Sequence, residues 1–136
     1  MKCLAVASAA LLVASAHAQT AEEATILGRK TIAYLECAGL TLDVAKANAL
    51  QEKGLVAGRA YLTYRQNTSA PPTGLPLSST MFFDTLAGPT LDFRLGQLQM
   101  LLISGLSNQE DKTLKVAWPV RMKTLYQERN CDLLPL

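Results

Sequence analysis

Apolar and polar residues recur at intervals of three and four along most of the chain, the spacing of an α-helix with one buried face. No stretch shows the sustained alternation of β-branched residues that strands require. The pattern predicts an all-α fold, a compact bundle of four main helices plus one short helical segment. It is clearest in the second helix, where the positions on one face are small or apolar: Ala47, Leu50, Gly54, Ala57, Tyr61 and Tyr64. An interruption of this helix near Gly54 is an alternative, because glycine inside a helix costs about 1 kcal/mol relative to alanine.

Capping residues set the limits of the first two helices. The first helix is predicted from about Glu22 to Ala38, with Gly39 as its C-cap. The second begins near Thr41 or Asp43, either of which can cap it, and continues to about Gln66.

Proline and glycine divide the middle of the chain. The segment from Asn67 to Ser79 contains three prolines and no charge, so it is predicted to be a loop. The short helical segment should follow from Met81 to about Ala87, capped by Ser79 or Thr80. Gly88-Pro89 would end it, because proline cannot continue a helix.

Leucine-rich stripes mark the last two helices. The third helix is predicted from Pro89 to Gly105, with a stripe formed by Leu91, Leu95, Leu98 and Leu102. A capping box at Ser107–Glu110 predicts the start of the fourth helix, which runs toward Asn130. Pro119 lies inside it, so a kink or break is expected around Trp118.

The first 18 residues have the organisation of a secretory signal peptide. Lys2 provides a positive charge, an uncharged alanine-rich run extends from Cys3 to Ser15, and Ala16-His17-Ala18 forms a small-residue cleavage site. A membrane anchor is the alternative, but a span needs about 20 apolar residues. The later uncharged run between Arg94 and Glu110 is also too short, so no transmembrane segment is expected after cleavage. We expect residues 1–18 to be removed on export, leaving one helical domain at 19–136 in a bacterial periplasm or outside the cell.

Cleavage would change the chemistry that the chain can carry. It removes His17, the one histidine, and Cys3, one of three cysteines. Without histidine, the mature chain cannot form a Ser-His-Asp or Cys-His catalytic site, or a metal centre that depends on imidazole. The sequence also contains no glycine-rich phosphate-binding loop. We therefore expect neither a cofactor nor a bound metal.

Cys37 and Cys131 are the two cysteines that would remain. An even number of cysteines in an exported chain favours a disulfide. The alternatives fit less well, because redox-active pairs usually have a Cys-x-x-Cys spacing and metal sites need three or four ligands. We expect a structural bridge that ties the first helix to the C-terminus.

The charged residues give little support for catalysis or nucleic-acid binding. Lys and Arg number 13 and Asp and Glu 11 over the whole chain, and they are interspersed, so we expect no nucleic acid as a partner. Asp84 and Asp92 are the best carboxylate pair for acid/base chemistry. Each lies near a predicted helix end, where a carboxylate is common, and Arg94 could neutralise either one. We do not expect an enzyme.

The candidate partner-binding site is the apolar run that follows the proline-containing loop, within the region Pro71 to Phe83. Its apolar residues are Leu75, Leu77, Met81, Phe82 and Phe83. An exposed patch of this kind would mark an interface. The alternative is that Met81 and Phe82 close one end of the helical core.

These features together favour a non-catalytic binding protein with a protein partner. A signal peptide, one disulfide and a small helical bundle are similar in plan to periplasmic immunity and inhibitor proteins. A small-molecule or lipid carrier, with an apolar cavity between the second and third helices, is the first alternative. An enzyme that uses Asp84 and Asp92 is the second.

Overall fold

The structure, a computed structural model, describes residues 20–68, 72–108 and 117–136 of the chain. Within these ranges the protein contains five α-helices and no strand, so the predicted all-α class is confirmed. The helices are α1 (Ala21–Leu40), α2 (Val44–Asn67), α3 (Leu77–Thr85), α4 (Leu91–Asn108) and α5 (Trp118–Glu128), and a 3-10 turn at Cys131–Leu133 follows. The expected signal peptide and residues 109–116 lie outside the described residues, as does Pro71.

Side-chain caps begin the first two helices. The Thr20 hydroxyl accepts a hydrogen bond from the Glu23 N–H, and the Glu23 carboxylate accepts one from the Thr20 N–H, both at 3.1 Å. This pair is a capping box that satisfies two free amide groups of α1. Asp43 caps α2 by accepting from the Lys46 N–H at 3.1 Å, which confirms one of the two predicted caps.

α1 and α2 pack as an antiparallel hairpin in which glycines allow close approach. A Cβ atom on Gly54 would lie 2.7 Å from Leu35 Cδ2, and one on Gly28 would lie 3.1 Å from the Tyr61 ring. The break considered near Gly54 does not occur, because the contact with Leu35 stabilises a continuous helix. The predicted stripe of α2 is confirmed, since its members from Leu50 to Tyr64 are buried.

α4 packs against this hairpin and runs in the same direction as α1. Leu95 packs on Gly58 of α2, and Ile103 packs on Gly39 of α1, at places where a Cβ would leave no room. The prediction that Gly39 ends α1 is therefore wrong: the helix continues to Leu40, and the glycine provides space for a neighbouring helix.

The predicted boundary between the third and fourth helices is also wrong in part. α4 continues past Gly105 to Asn108, so the Ser107 backbone belongs to the last turn of α4. The rest of the predicted capping box lies outside the described residues. α5 begins at Trp118 with Pro119 in its first turn, where no amide donor is needed, and the part of the predicted fourth helix that would precede the expected kink or break lies outside the described residues.

The C-terminal segment is joined to α1 by the predicted disulfide. Cys37 and Cys131 are bonded, with 5.6 Å between their Cα atoms, and both are buried. Two ion pairs lie nearby: Arg129 Nε is 3.2 Å from Glu36 Oε1, and Lys46 Nζ is 2.8 Å from Asp132 Oδ1. The end of the chain is thus attached to both helices of the hairpin.

α3 begins earlier than the sequence predicts. It starts at Leu77 after Pro76, so neither Ser79 nor Thr80 caps it, and it ends at Thr85. Proline fixes a backbone angle that suits the start of a helix, which explains the earlier beginning. None of the helices in the described part of the chain combines the length and hydropathy needed to cross a membrane.

Candidate functional site

The apolar run proposed as a partner site is divided between core and surface. Leu75 and Phe83 are buried, with 9% and 5% of their surface exposed, and Phe82 is half-buried. Leu77 and Met81 are exposed, at 78% and 59%. The five residues therefore do not form one exposed patch.

The packing of α3 explains this division. The Phe83 ring lies against the Tyr61 ring of α2, with 4.3 Å between the centroids, and Leu75 fills the space above Gly28 of α1. Leu77 and Met81 are four residues apart and therefore share a face of α3. That face is turned away from the core. Thr85, four residues after Met81, is the next residue on it.

Thr85 and Leu86 form one side of an open groove between the end of α3 and α4, which we call the α3–α4 groove. The other side consists of Phe93, Gly96, Gln97, Met100 and Leu101, and the volume is about 850 Å³. None of these side chains carries a charge. Phe93 is 52% exposed and Met100 74% exposed, so α4 presents large apolar groups to solvent as well as to the core.

The connection between α3 and α4 is fixed against the groove by polar contacts. Arg94 Nε donates to the Gly88 carbonyl at 3.1 Å, and the Ala87 N–H donates to Gln97 Oε1 at 3.3 Å. The Phe93 ring lies over Gly88, whose φ of 151° suits glycine. These contacts hold Phe93 at the mouth of the groove.

The outer face of α4 was not predicted from the sequence. Of the predicted stripe Leu91, Leu95, Leu98 and Leu102, Leu91 is half-buried and the other three are buried. Met100 and Leu101 lie between those residues in the sequence, but their side chains are outside the buried stripe and are exposed. The apolar run from 100 to 103 contains more apolar residues than one buried face needs, and that excess was the available signal.

The two candidate acid/base residues are each paired with an arginine of α2. Arg65 Nη2 is 2.7 Å from Asp84 Oδ1, and Arg59 contacts both oxygens of Asp92 at 2.6 and 2.9 Å. The expected partner Arg94 instead binds the Gly88 carbonyl. The hydrogen bond from Arg59 lowers the pKa of Asp92 below its usual value. A general acid needs a raised pKa, so this environment opposes that role for Asp92.

A second groove, the α1–α2 groove, follows the outer side of the helical hairpin and has a volume of about 480 Å³. Its apolar lining consists of Leu27 and Tyr34 on α1 with Ala49, Val56, Ala57 and Ala60 on α2. Its charged residues are Lys30, Glu52 and Lys53. The cavity expected between the second and third predicted helices would lie between α2 and α4, but these helices touch where Leu95 packs on Gly58.

The α3–α4 groove can bind a ligand by apolar burial, and the α1–α2 groove can add ion pairing through its charged residues. Within residues 20–68, 72–108 and 117–136, no cluster of three or more His, Cys, Asp or Glu side chains could hold a metal ion. Comparison of the sequence with protein-family models found no match, and comparisons with curated proteins and with solved structures found no similar protein.

Proposed function

We propose that this chain is an exported, non-catalytic binding protein whose α3–α4 groove holds the apolar face of a helix from a protein partner. The observation that carries the proposal is the exposure of Phe93 and Met100 on one face of α4, at 52% and 74%, with Gly96 between them. A glycine between two large apolar side chains leaves a depression that a partner's side chain can fill. Exposed apolar surface of this kind is typical of interfaces, where a few buried anchors supply most of the binding energy.

The charges around the groove favour an apolar partner surface. Asp84 and Asp92 are neutralised by Arg65 and Arg59, so neither sign of charge prevails beside the groove. Leu77 and Met81 extend the apolar surface along α3. A helix with apolar residues at intervals of three and four suits such a groove. A partner enzyme bound in this way would give the chain the role of an immunity or inhibitor protein.

Export is the second part of the proposal. Residues 1–18 would be removed, and residues 19–136 would form a bundle of four main helices with the short α3. The Cys37–Cys131 disulfide supports an oxidising compartment such as the periplasm. Expression of the full chain in a bacterial host should yield a periplasmic protein that begins at Gln19, as measured by intact-mass spectrometry. A membrane-bound product that retains Met1 would contradict this part.

Site-specific photo-crosslinking tests the binding surface. A photoreactive amino acid at Met100 should capture a partner in a periplasmic extract, and the crosslinked peptide should be an amphipathic helix. The same label at Val120, an exposed apolar residue of α5, is the control. Equal capture by both labels would show that the groove is not the binding surface.

Substitution provides an independent measurement. The double change Phe93→Ser and Met100→Ser should weaken partner binding about thirtyfold or more, which corresponds to the loss of at least one interface anchor. The matched control is Val120→Ser with Leu133→Ser, two exposed apolar residues outside the groove. Unchanged affinity in the groove variant, or recovery of a lipid without any protein, would overturn the proposal.

A further inference from the structure

The α1–α2 groove has a narrow floor of small residues between two closely packed helices. Ala57 and Ala60 are buried at its base, while Leu27 and Val56 form its sides. Because Gly54 lets α1 approach α2 closely, the groove follows the contact line of the two helices. Its volume of about 480 Å³ lies within the range of small-molecule pockets.

Two lysines give this apolar groove a positive character. Lys30 is on the α1 side and Lys53 on the α2 side, and among the described residues neither has a carboxylate within ion-pair distance. Glu52 is the one acidic residue in the lining, so the groove has one more positive than negative charge. Lysine can cover apolar surface with its methylene chain while its ammonium group stays in water.

The groove continues toward the C-terminus of the chain. The Tyr34 ring lines it, and the Tyr34 hydroxyl donates to the Pro135 carbonyl at 3.2 Å. That hydrogen bond fixes the ring at one end of the apolar floor. A ligand would therefore meet a defined apolar surface with ammonium groups beside it.

We propose that the α1–α2 groove binds a single-chain anionic amphiphile, with its alkyl chain along Ala57, Ala60 and Val56 and its head group beside Lys30 or Lys53. The elongated apolar floor selects an alkyl chain, and the lysines select a negative head. A fatty-acid anion and a lysophospholipid with an anionic head share this chemistry. The site is separate from the α3–α4 groove, so this inference does not rest on the proposed protein binding.

Calorimetric titration below the critical micelle concentrations tests the inference with four probes. Dodecanoate and lauroyl-lysophosphatidylglycerol are the two sources of an anionic head, octanoate shortens the chain, and dodecyltrimethylammonium reverses the charge. The protein should bind at least one dodecyl anion, more tightly than octanoate and than the cation. Each buried methylene strengthens binding by up to about fourfold. The anion that binds with the higher affinity identifies the preferred head group.

Variants locate the binding site. Val56→Asp should abolish binding, while Val44→Asp, the same change at an exposed position of α2 outside the groove, should leave it unchanged. Changing Lys30 and Lys53 together to Gln should weaken anion binding at least threefold, whereas Glu52→Gln should strengthen it. Circular dichroism should show equal helicity in all variants. Absence of binding, equal binding of the cation, or equal loss in both valine variants would overturn the inference.

Discussion

The aromatic rings of Tyr61 and Phe83 lie 4.3 Å apart and are inclined to each other by 44°. This contact attaches the short helix α3 to α2, and it removes Phe83 from the surface. The neighbouring Met81 remains 59% exposed. A single turn of helix therefore contains one core residue and one surface residue, and the two should respond differently to substitution.

Phe83→Ala should lower the free energy of unfolding by about 3–5 kcal/mol, the usual cost of removing a buried aromatic side chain. Met81→Ala should change it by less than about 0.5 kcal/mol, because the Met81 side chain is mostly in solvent. Urea unfolding followed by circular dichroism measures both values. Similar losses in the two variants would show that α3 is docked in another orientation.

Gly58→Ala should destabilise the protein by about 1–3 kcal/mol, because overpacking forces neighbouring side chains to move. The new methyl group would collide with Leu95 of α4, which is fully buried. Thermal unfolding followed by the circular dichroism of the helices is a suitable measurement.

Gly105→Ala in α4 is the matched control. A Cβ atom at Gly105 would have no neighbour within 4 Å, so the gain in helix propensity should stabilise the protein by up to about 1 kcal/mol. A Gly58→Ala variant as stable as Gly105→Ala would mean that α2 and α4 are not in close contact.

Local pattern predicted the features that depend on one helix alone. The stripe in α2 follows directly from its spacing, and the cap Asp43 is one of the two candidates, with Thr41, that the sequence offers before the apolar repeat. The disulfide was predictable because only Cys37 and Cys131 remain beyond the expected signal peptide. Gly39 was misassigned as a C-cap, since its function is to admit Ile103 from a helix more than sixty residues away in sequence.

The exposed apolar surface of the α3–α4 groove was harder to predict because it depends on how helices are oriented against each other. Phe82 and Phe83 have the same chemistry, and the docking of α3 decides which ring meets Tyr61. Periodicity likewise identified the buried face of α4 but gave no information on whether another helix covers Phe93 and Met100. That question is settled by tertiary packing, which a single sequence does not show.

Replacing both Cys37 and Cys131 with serine should lower the free energy of unfolding by roughly 4–5 kcal/mol, as expected for a loop of this length. The bridge joins residues 94 positions apart and therefore strongly reduces the conformational entropy of the unfolded chain. Guanidinium unfolding of the oxidised protein, the reduced protein and the double variant provides the test. The reduced protein and the variant should agree, and a loss below about 1 kcal/mol would contradict a stabilising role.

Glu36 should make stability depend on pH. Burial raises the pKa of Glu36 above its usual value of 4.5, and the charge of Arg129 opposes part of that rise. The folded state therefore binds this proton more tightly than the unfolded chain does. The free energy of unfolding contributed by Glu36 should fall as the pH rises from about 4.5 through the raised pKa, because the native state must then keep a buried carboxylate ionised.

Glu36→Gln removes this titration, so its stability should decline less than that of the wild type as the pH rises through this window. Glu52→Gln, the same change at an exposed position, is the control and should follow the wild type. The lowered pKa values of Asp92 and Asp132 act in the opposite direction at lower pH, and both groups are unchanged in the variant. Chemical unfolding at a series of pH values, with a direct NMR titration of the Glu36 carboxylate, measures the effect. A Glu36 pKa at or below its usual value would show that Arg129 outweighs burial.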